Sequence, residues 1–318
     1  VRISSQLTYR RHHVIRVRPL KIGNHLLAWL FARNLSRLIH GSCDIGFSGV
    51  PELGVQPDNP SLLSEQYDYI DRDSSYPWPK PESLGRTISR RLMLGIASRL
   101  CPSQDAILHG KRVGDCYSRY ILSTNTPNLY PIRSASLGGD LLLDIDSTVC
   151  NIGYLPSRCE AQFLIPGDAE CRAVAAKFVV DRSHDALYVH IRAGDILSLK
   201  NSLHQPLPIE MIRYAKSQFN TSLIFIGQLE DSEYSRALRL AFPDEEFFFS
   251  DRAGLDFEII RAARRVLLST STFAWLAAWI SENNDLILLP SLGLFNALEA
   301  PEINLIDCND KRYQFLVP

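Results

Sequence analysis

The sequence contains no uninterrupted apolar run of the ~18 residues that a membrane-spanning helix requires. The longest contender, Leu286 to Leu298, is broken by Pro290, Ser291, Gly293 and Asn296. There is no C-x-x-C pair. The seven cysteines, at positions 43, 101, 116, 150, 159, 171 and 308, are odd in number and scattered, which argues against a disulfide framework or a zinc site. Reduced thiols in a cytoplasmic protein are the expectation. No apolar core of the needed length follows Arg2, so a secretory signal is not expected either. Also missing are G-x-G-x-x-G after a strand, G-x-x-x-x-G-K-[ST] and G-x-S-x-G. Dinucleotide dehydrogenases, P-loop ATPases and hydrolases with a nucleophile elbow thereby lose their main support.

Acid is absent from the first 43 residues, which carry Arg2, Arg10, Arg11, Arg16, Arg18, Lys21, Arg33 and Arg37 in a chain whose net charge is only −1. A solvated basic face explains such a run; attraction to phosphates or to an anionic membrane leaflet is the sharper reading.

What is present reads as a globular protein. A length of 318 residues, 46% hydrophobic and 22% charged, predicts two domains of roughly 150 residues each. In the second half, apolar strand runs begin at Ala186, Ser222, Glu246, Val266 and Asp285. Helical patterns over Pro208–Phe219, Asp231–Ala241, Leu255–Arg264 and from Phe273 to Ile280 alternate with them. Strands alternating with helices specify parallel βαβ units. The first half opens in the same way, with a strand over Val14–Val17, a turn at Gly23-Asn24 and an apolar helix to Leu38. A Pro- and Asp-rich stretch, Pro51 to Pro81, then reads as a long loop excursion. Two α/β domains, 1–180 and 181–318, with a cleft between them, are expected.

Ligands of open α/β sheets sit beyond the carboxyl ends of the strands. His190-Ile-Arg192-Ala-Gly194-Asp195 occupies one such place, and the guanidinium of Arg192 offers five fixed donors to phosphate oxygens. Ser269-Thr-Ser-Thr272 occupies another, where hydroxyls and unpaired helix N–H groups make an anion site. Together they suggest a diphosphate clamp. Each alone has an ordinary structural explanation: an Arg–Asp pair closing a turn, and a helix N-cap. Asp144-Ile-Asp146 has the spacing of a metal-holding acid pair, but it follows Leu141-Leu-Leu143 as a strand end would. The eight histidines show no metal-ligand spacing beyond the basic arm.

These segments resemble those of a known group. His190-Ile-Arg-Ala-Gly-Asp195 is similar to the H-x-R-R-G-D motif of the alpha-1,2-, alpha-1,6- and protein O-fucosyltransferases. Ser269-Thr-Ser-Thr-Phe-Ala-Trp-Leu-Ala-Ala-Trp279 resembles the S-N-S-S-F-S-W-W-A-A-W segment of the alpha-1,2 branch, the glycosyltransferase family 11 type. Asp256-Phe-Glu-Ile-Ile260 stands where that branch has D-M-x-L-M; Gly23-Asn24-His25-Leu26 resembles G-N-Q-[LMF], and Gly153-Tyr154-Leu-Pro-Ser157 resembles G-Y-F-Q-S.

The resemblance implies a GT-B type fold of two Rossmann-like domains, GDP-fucose as donor, inversion at the sugar carbon and no metal or other cofactor. By position, Arg192 would hold the β-phosphate of the leaving GDP. Main-chain groups near His190 and the carboxylate of Asp256 would read guanine. Ser271, Thr272 and Phe273 would line the pyrophosphate, and Asn24 would reach the donor from the opposite domain. Expected partners are a GDP-sugar donor and a glycan acceptor, with no nucleic acid. Family members that work on lipid-linked glycans imply a cytoplasmic protein in peripheral contact with an anionic membrane through residues 1–43. Departures are Ala193 for the second arginine, His25 for glutamine, and Leu-Pro in the Gly153–Ser157 segment. They leave two alternatives: a non-catalytic nucleotide- or glycan-binding protein, and a transferase using another GDP-sugar.

Overall fold

The computed structural model describes residues 12–17, 20–38, 42–60, 107–113, 117–123, 140–145, 150–182, 185–198, 203–301 and 303–317. They fall into two compact units, one of 1–19, 28–49 and 57–149, the other of 20–27, 50–56 and 150–318. The expected loop excursion lies outside the described residues beyond Pro60.

The first unit holds β1 (His12–Val17), β2 (Ser42–Gly46), β3 (Ile107–Val113), β4 (Tyr117–Ser123), β5 (Asp140–Ile145) and most of α1 (Ile22–Leu38). Its sheet order is β2-β1-β5-β4-β3, parallel except for the antiparallel edge strand β3. Ile15, Val17, Leu30, Leu35 and Ile45 are buried, and Trp29 stacks on Phe47 with ring centroids 4.9 Å apart. At about 1.5–3 kcal/mol for each large apolar side chain removed from water, this core outweighs the exposed ion pairs around it.

The second unit begins with α2 (Arg158–Leu164) and α3 (Ala169–Asp181), capped by Ser157 and Asp168. Six parallel strands follow: β6 (Leu187–Ala193), β7 (Leu223–Leu229), β8 (Glu246–Phe247), β9 (Arg265–Leu267), β10 (Leu286–Pro290) and β11 (Tyr313–Leu316). Between them run α4 (Ile209–Phe219), α5 (Glu233–Ala241), α6 (Ala253–Ala262) and α7 (Thr272–Ile280). The unit reaches back to Cys150 rather than starting at 181 because α3 packs along α6 and α2 against α7. Its core joins Leu187, Val189 and Ile191 of β6 to Met211, Ile212 and Ala215 of α4 and to Phe225, Leu238 and Phe242.

Helix α7 has only nine residues, too few to be stable alone in water. Burial holds it: every residue from Ala274 to Ile280 is buried, and Trp275 and Trp279 stack at 5.3 Å. The one-sided apolar face expected from the sequence is therefore an all-round apolar helix inside the unit. Its carboxyl end is closed by Arg312, which donates to the carbonyls of Ala278 (3.3 Å), Trp279 (3.1 Å) and Ser281 (2.9 Å). The guanidinium is gripped in turn by the Asp310 carboxylate at 2.6 and 2.9 Å.

Arg312→Ala removes the side-chain donors to the Trp279 and Ser281 carbonyls and to the Asp310 carboxylate together, while the Ala278 carbonyl keeps the Ser281 N–H at 3.2 Å. It is expected to cost about 3 kcal/mol, seen as a lower urea midpoint. Arg312→Lys should recover only part of the loss, since an ammonium lacks the planar fork. An unchanged midpoint for Arg312→Ala would show that α7 needs no such closure.

Candidate functional site

The strands of the second sheet stand in the order β8-β7-β6-β9-β10-β11. In order of appearance that reads 3-2-1-4-5-6, with the reversal between β6 and β9. The chain moves outward from β6 through β7 to β8, then returns to the other flank of β6. Sheets of this kind bind ligands beyond the carboxyl ends of the two strands at the reversal. His190 and Arg192 lie at the end of β6, and Ser269 to Thr272 follow β9.

A hydrogen bond spans the reversal. His190 Nδ1 and Ser269 Oγ lie 2.7 Å apart, both side chains buried. Burial, with the neighbouring positive charge of Arg192, pushes the His190 pKa down to about 3, so the ring is neutral and serves as a hydrogen-bonding strut. Gly227 on β7 makes room for it: its φ is +104°, and a Cβ there would collide with the Ile191 carbonyl and crowd the imidazole. Arg192 is half-buried, and burial lowers its pKa from the ordinary value.

The hydroxyl run after β9 divides its labour. Ser271 caps α7 by accepting from the Ala274 N–H at 3.4 Å. Thr270 Oγ1 accepts from the Gln205 N–H at 3.2 Å and donates to the Gln205 carbonyl at 2.9 Å, clasping the segment before α4. The Thr272 hydroxyl donates to Asn24 Oδ1 at 2.6 Å. Gly23-Asn24, expected as a turn, is instead part of the first turn of α1. A Cβ on Gly23 would stand 2.5 Å from the Phe273 main-chain nitrogen, so only glycine allows this approach. The amino ends of α1 and α7 therefore meet, and two partial positive charges of about half an elementary charge converge.

Asp256, on the first turn of α6, is buried and accepts from the Ser250 hydroxyl at 3.0 Å. Burial pushes its pKa up to about 7, against the opposing pull of that hydrogen bond. Phe273 stands on the neighbouring helix, with its ring centroid 5.3 Å from that of Phe257.

Of the residues singled out from the sequence, His190, Arg192, Asp256, Ser271, Thr272, Phe273 and Asn24 all belong to the second unit. Asn24 thus shares a unit with Thr272 rather than facing it from another domain, because the start of α1 is packed against α7. Asp144 is described only as a backbone position of β5, paired in register with Arg16, and Asp146 lies outside the described residues. Among the described residues, no three His, Cys, Asp or Glu side chains are grouped as a metal would need. The sequence singles out Lys21 only as one charge of the basic run and gives no local signal for His204, whose neighbour Gln205 is clasped by Thr270.

No protein-family model matches the chain. No curated protein matches it. Solved proteins similar to it in backbone arrangement, each at low identity, include the following three. One is a mutant of Arabidopsis thaliana FUT1 in complex with GDP (10% identity, TM-score 0.46, 90% of this chain and 71% of that one). The second is the fucosyltransferase NodZ from Bradyrhizobium (14%, TM-score 0.45, 88% and 94%). The third is POFUT1 in complex with GDP (10%, TM-score 0.43, 88% and 98%).

The raised pKa of Asp256 has a consequence for stability. Between its unfolded value near 3.8 and about 7, the folded protein holds a proton that the unfolded chain releases. Its contribution to stability is full below 3.8 and is lost as pH rises to 7. Asp256→Asn should therefore raise the thermal midpoint by several degrees at pH 8 and by progressively less toward pH 5. A shift independent of pH would place the carboxylate in water.

Proposed function

We propose that the protein transfers a sugar, most simply fucose, from a GDP-sugar to a glycan hydroxyl, with inversion at the sugar carbon and an alpha-1,2 linkage. The observation that carries this reading is the meeting of the α1 and α7 amino ends at the β6/β9 reversal, through Gly23–Phe273 and Asn24–Thr272. Two like partial charges held in contact suit a ligand with two adjacent negative charges, and a diphosphate supplies them. Arg192 in this role would stabilise the charge that builds on the β-phosphate as GDP departs, a task needing preorganised donors and no metal. Ser271, Thr272 and Phe273 would line the pyrophosphate, with Asn24 on its far side. Asp256 would accept from the amino and imino N–H groups of guanine, beside main-chain groups of His190.

Ala193, standing where the resembling motif has a second arginine, favours one other reading: a protein that binds the nucleotide or a glycan without turnover. GDP release from GDP-fucose over a panel of glycans separates the two. Arg192→Ala should lower kcat by about 10²-fold or more, the loss of one transition-state donor; a variant keeping a third of the wild-type kcat removes Arg192 from the mechanism. EDTA should leave the rate intact, whereas loss restored by Mn²⁺ or Mg²⁺ would make Asp144 and Asp146 ligands.

A cytoplasmic location with peripheral membrane contact through residues 1–43 is part of the same proposal, supported by their eight positive charges. Among the described residues no helix is long and apolar enough to cross a membrane. Co-sedimentation with vesicles should rise with anionic lipid and fall steeply with salt. Protein left in the supernatant on anionic vesicles at low salt overturns the membrane contact.

A further inference from the structure

His204 stands ahead of α4, and its two chain neighbours are both held by main-chain hydrogen bonds. Thr270 clasps Gln205 by both main-chain groups, and the Leu294 N–H donates to the Leu203 carbonyl at 3.2 Å. The His204 ring is half-buried, with Nδ1 shielded from solvent and without a hydrogen-bond partner. The charges acting on it are Arg192 from the end of β6 and Lys21 from the approach to α1, and the Thr270 backbone adds a hydrogen-bonding influence.

Four other titratable side chains of the second unit are held by neighbouring side chains. His190 is tied to Ser269, Asp256 to Ser250, Glu258 to Arg261 at 3.0 Å and Glu230 to Gln228 at 3.1 Å. Resting on the glycosyl-transfer reading above, we propose that His204 is the base that takes the proton of the acceptor hydroxyl.

The electrostatics suit that task in both directions. Burial first, then Arg192 and Lys21, push the ring below its ordinary pKa of 6.5, so at neutral pH it carries a free lone pair. In the step itself, a lone pair of the acceptor oxygen forms the bond to the sugar carbon. The bond from that carbon to the β-phosphate oxygen breaks, its electron pair leaving with GDP, and the hydroxyl proton passes to the imidazole. The new imidazolium is repelled by the two cations, but the charge appearing on GDP beside Arg192 offsets that repulsion. After GDP leaves, water takes the proton.

The test follows GDP release from GDP-fucose at saturating donor, with water or the best glycan of a panel as acceptor, so that donor affinity does not enter. The wild-type kcat should fall as pH drops through a value below 6.5, where the base becomes protonated. His204→Gln should lower kcat by about 10²-fold or more, abolish that acid limb, and leave GDP affinity by calorimetry within about threefold. A folded His204→Gln or His204→Asn protein that keeps a third of the rate, or whose acid limb is unchanged from wild type, overturns the proposal. If the wild type binds GDP but turns over no acceptor, the transfer reading and the base fall together. If it turns over and both variants match it, the base alone falls.

Discussion

Two helix amino ends in contact are an electrostatic expense that a fold has to offset. At the β6/β9 reversal, α1 and α7 begin against one another, separated by little more than a glycine backbone and a threonine hydroxyl. Burial of α7 on all sides holds one partner in place. The strut from His190 to Ser269 then fixes the strand ends beneath them. Much of the local sequence follows from this. Gly23 is needed because a Cβ would reach Phe273, Gly227 because the imidazole must fit, and Ser271 because α7 has to be capped while Thr272 faces Asn24.

The second unit was largely legible in the sequence. Short apolar strands bounded by turn residues, with helical patterns between them, predicted β6, β7, β9 and β10 and the helices α4 to α7 to within a few residues. Strand β8 is shorter than expected, pairing with β7 only through Glu246 and Phe247. Gly23-Asn24 was misread because glycine and asparagine together signal a turn locally, whereas a contact almost 250 positions away put them in a helix. Helices α2 and α3 carry readable caps in Ser157 and Asp168, but their amphipathic signal is weak. Strands β3 and β4 mix Gly, Lys, Arg and His with apolar residues and show no clean alternation.

Site residues divide in the same way. Arg192 and the hydroxyl run stand out because strand ends and helix starts are places that sequence patterns reveal. The Ser250–Asp256 pair depends on a short local turn before α6 that no motif announces. His204 is more remote still: its surroundings come from β6, from the segment after β9 and from the approach to α1, three stretches brought together only by the finished sheet.

The clamp on the carboxyl end of α7 lies some 33 positions downstream of the carbonyls that it closes. A ribosome delivers the chain from its amino end, so α7 emerges with an apolar surface on every side and its last carbonyls open. It stays so until Arg312 and the strand β11 have followed. Closure of α7 thus waits on a residue translated about 33 positions after the carbonyl it holds, and a nascent chain stalled between the two would expose an apolar helix to chaperones.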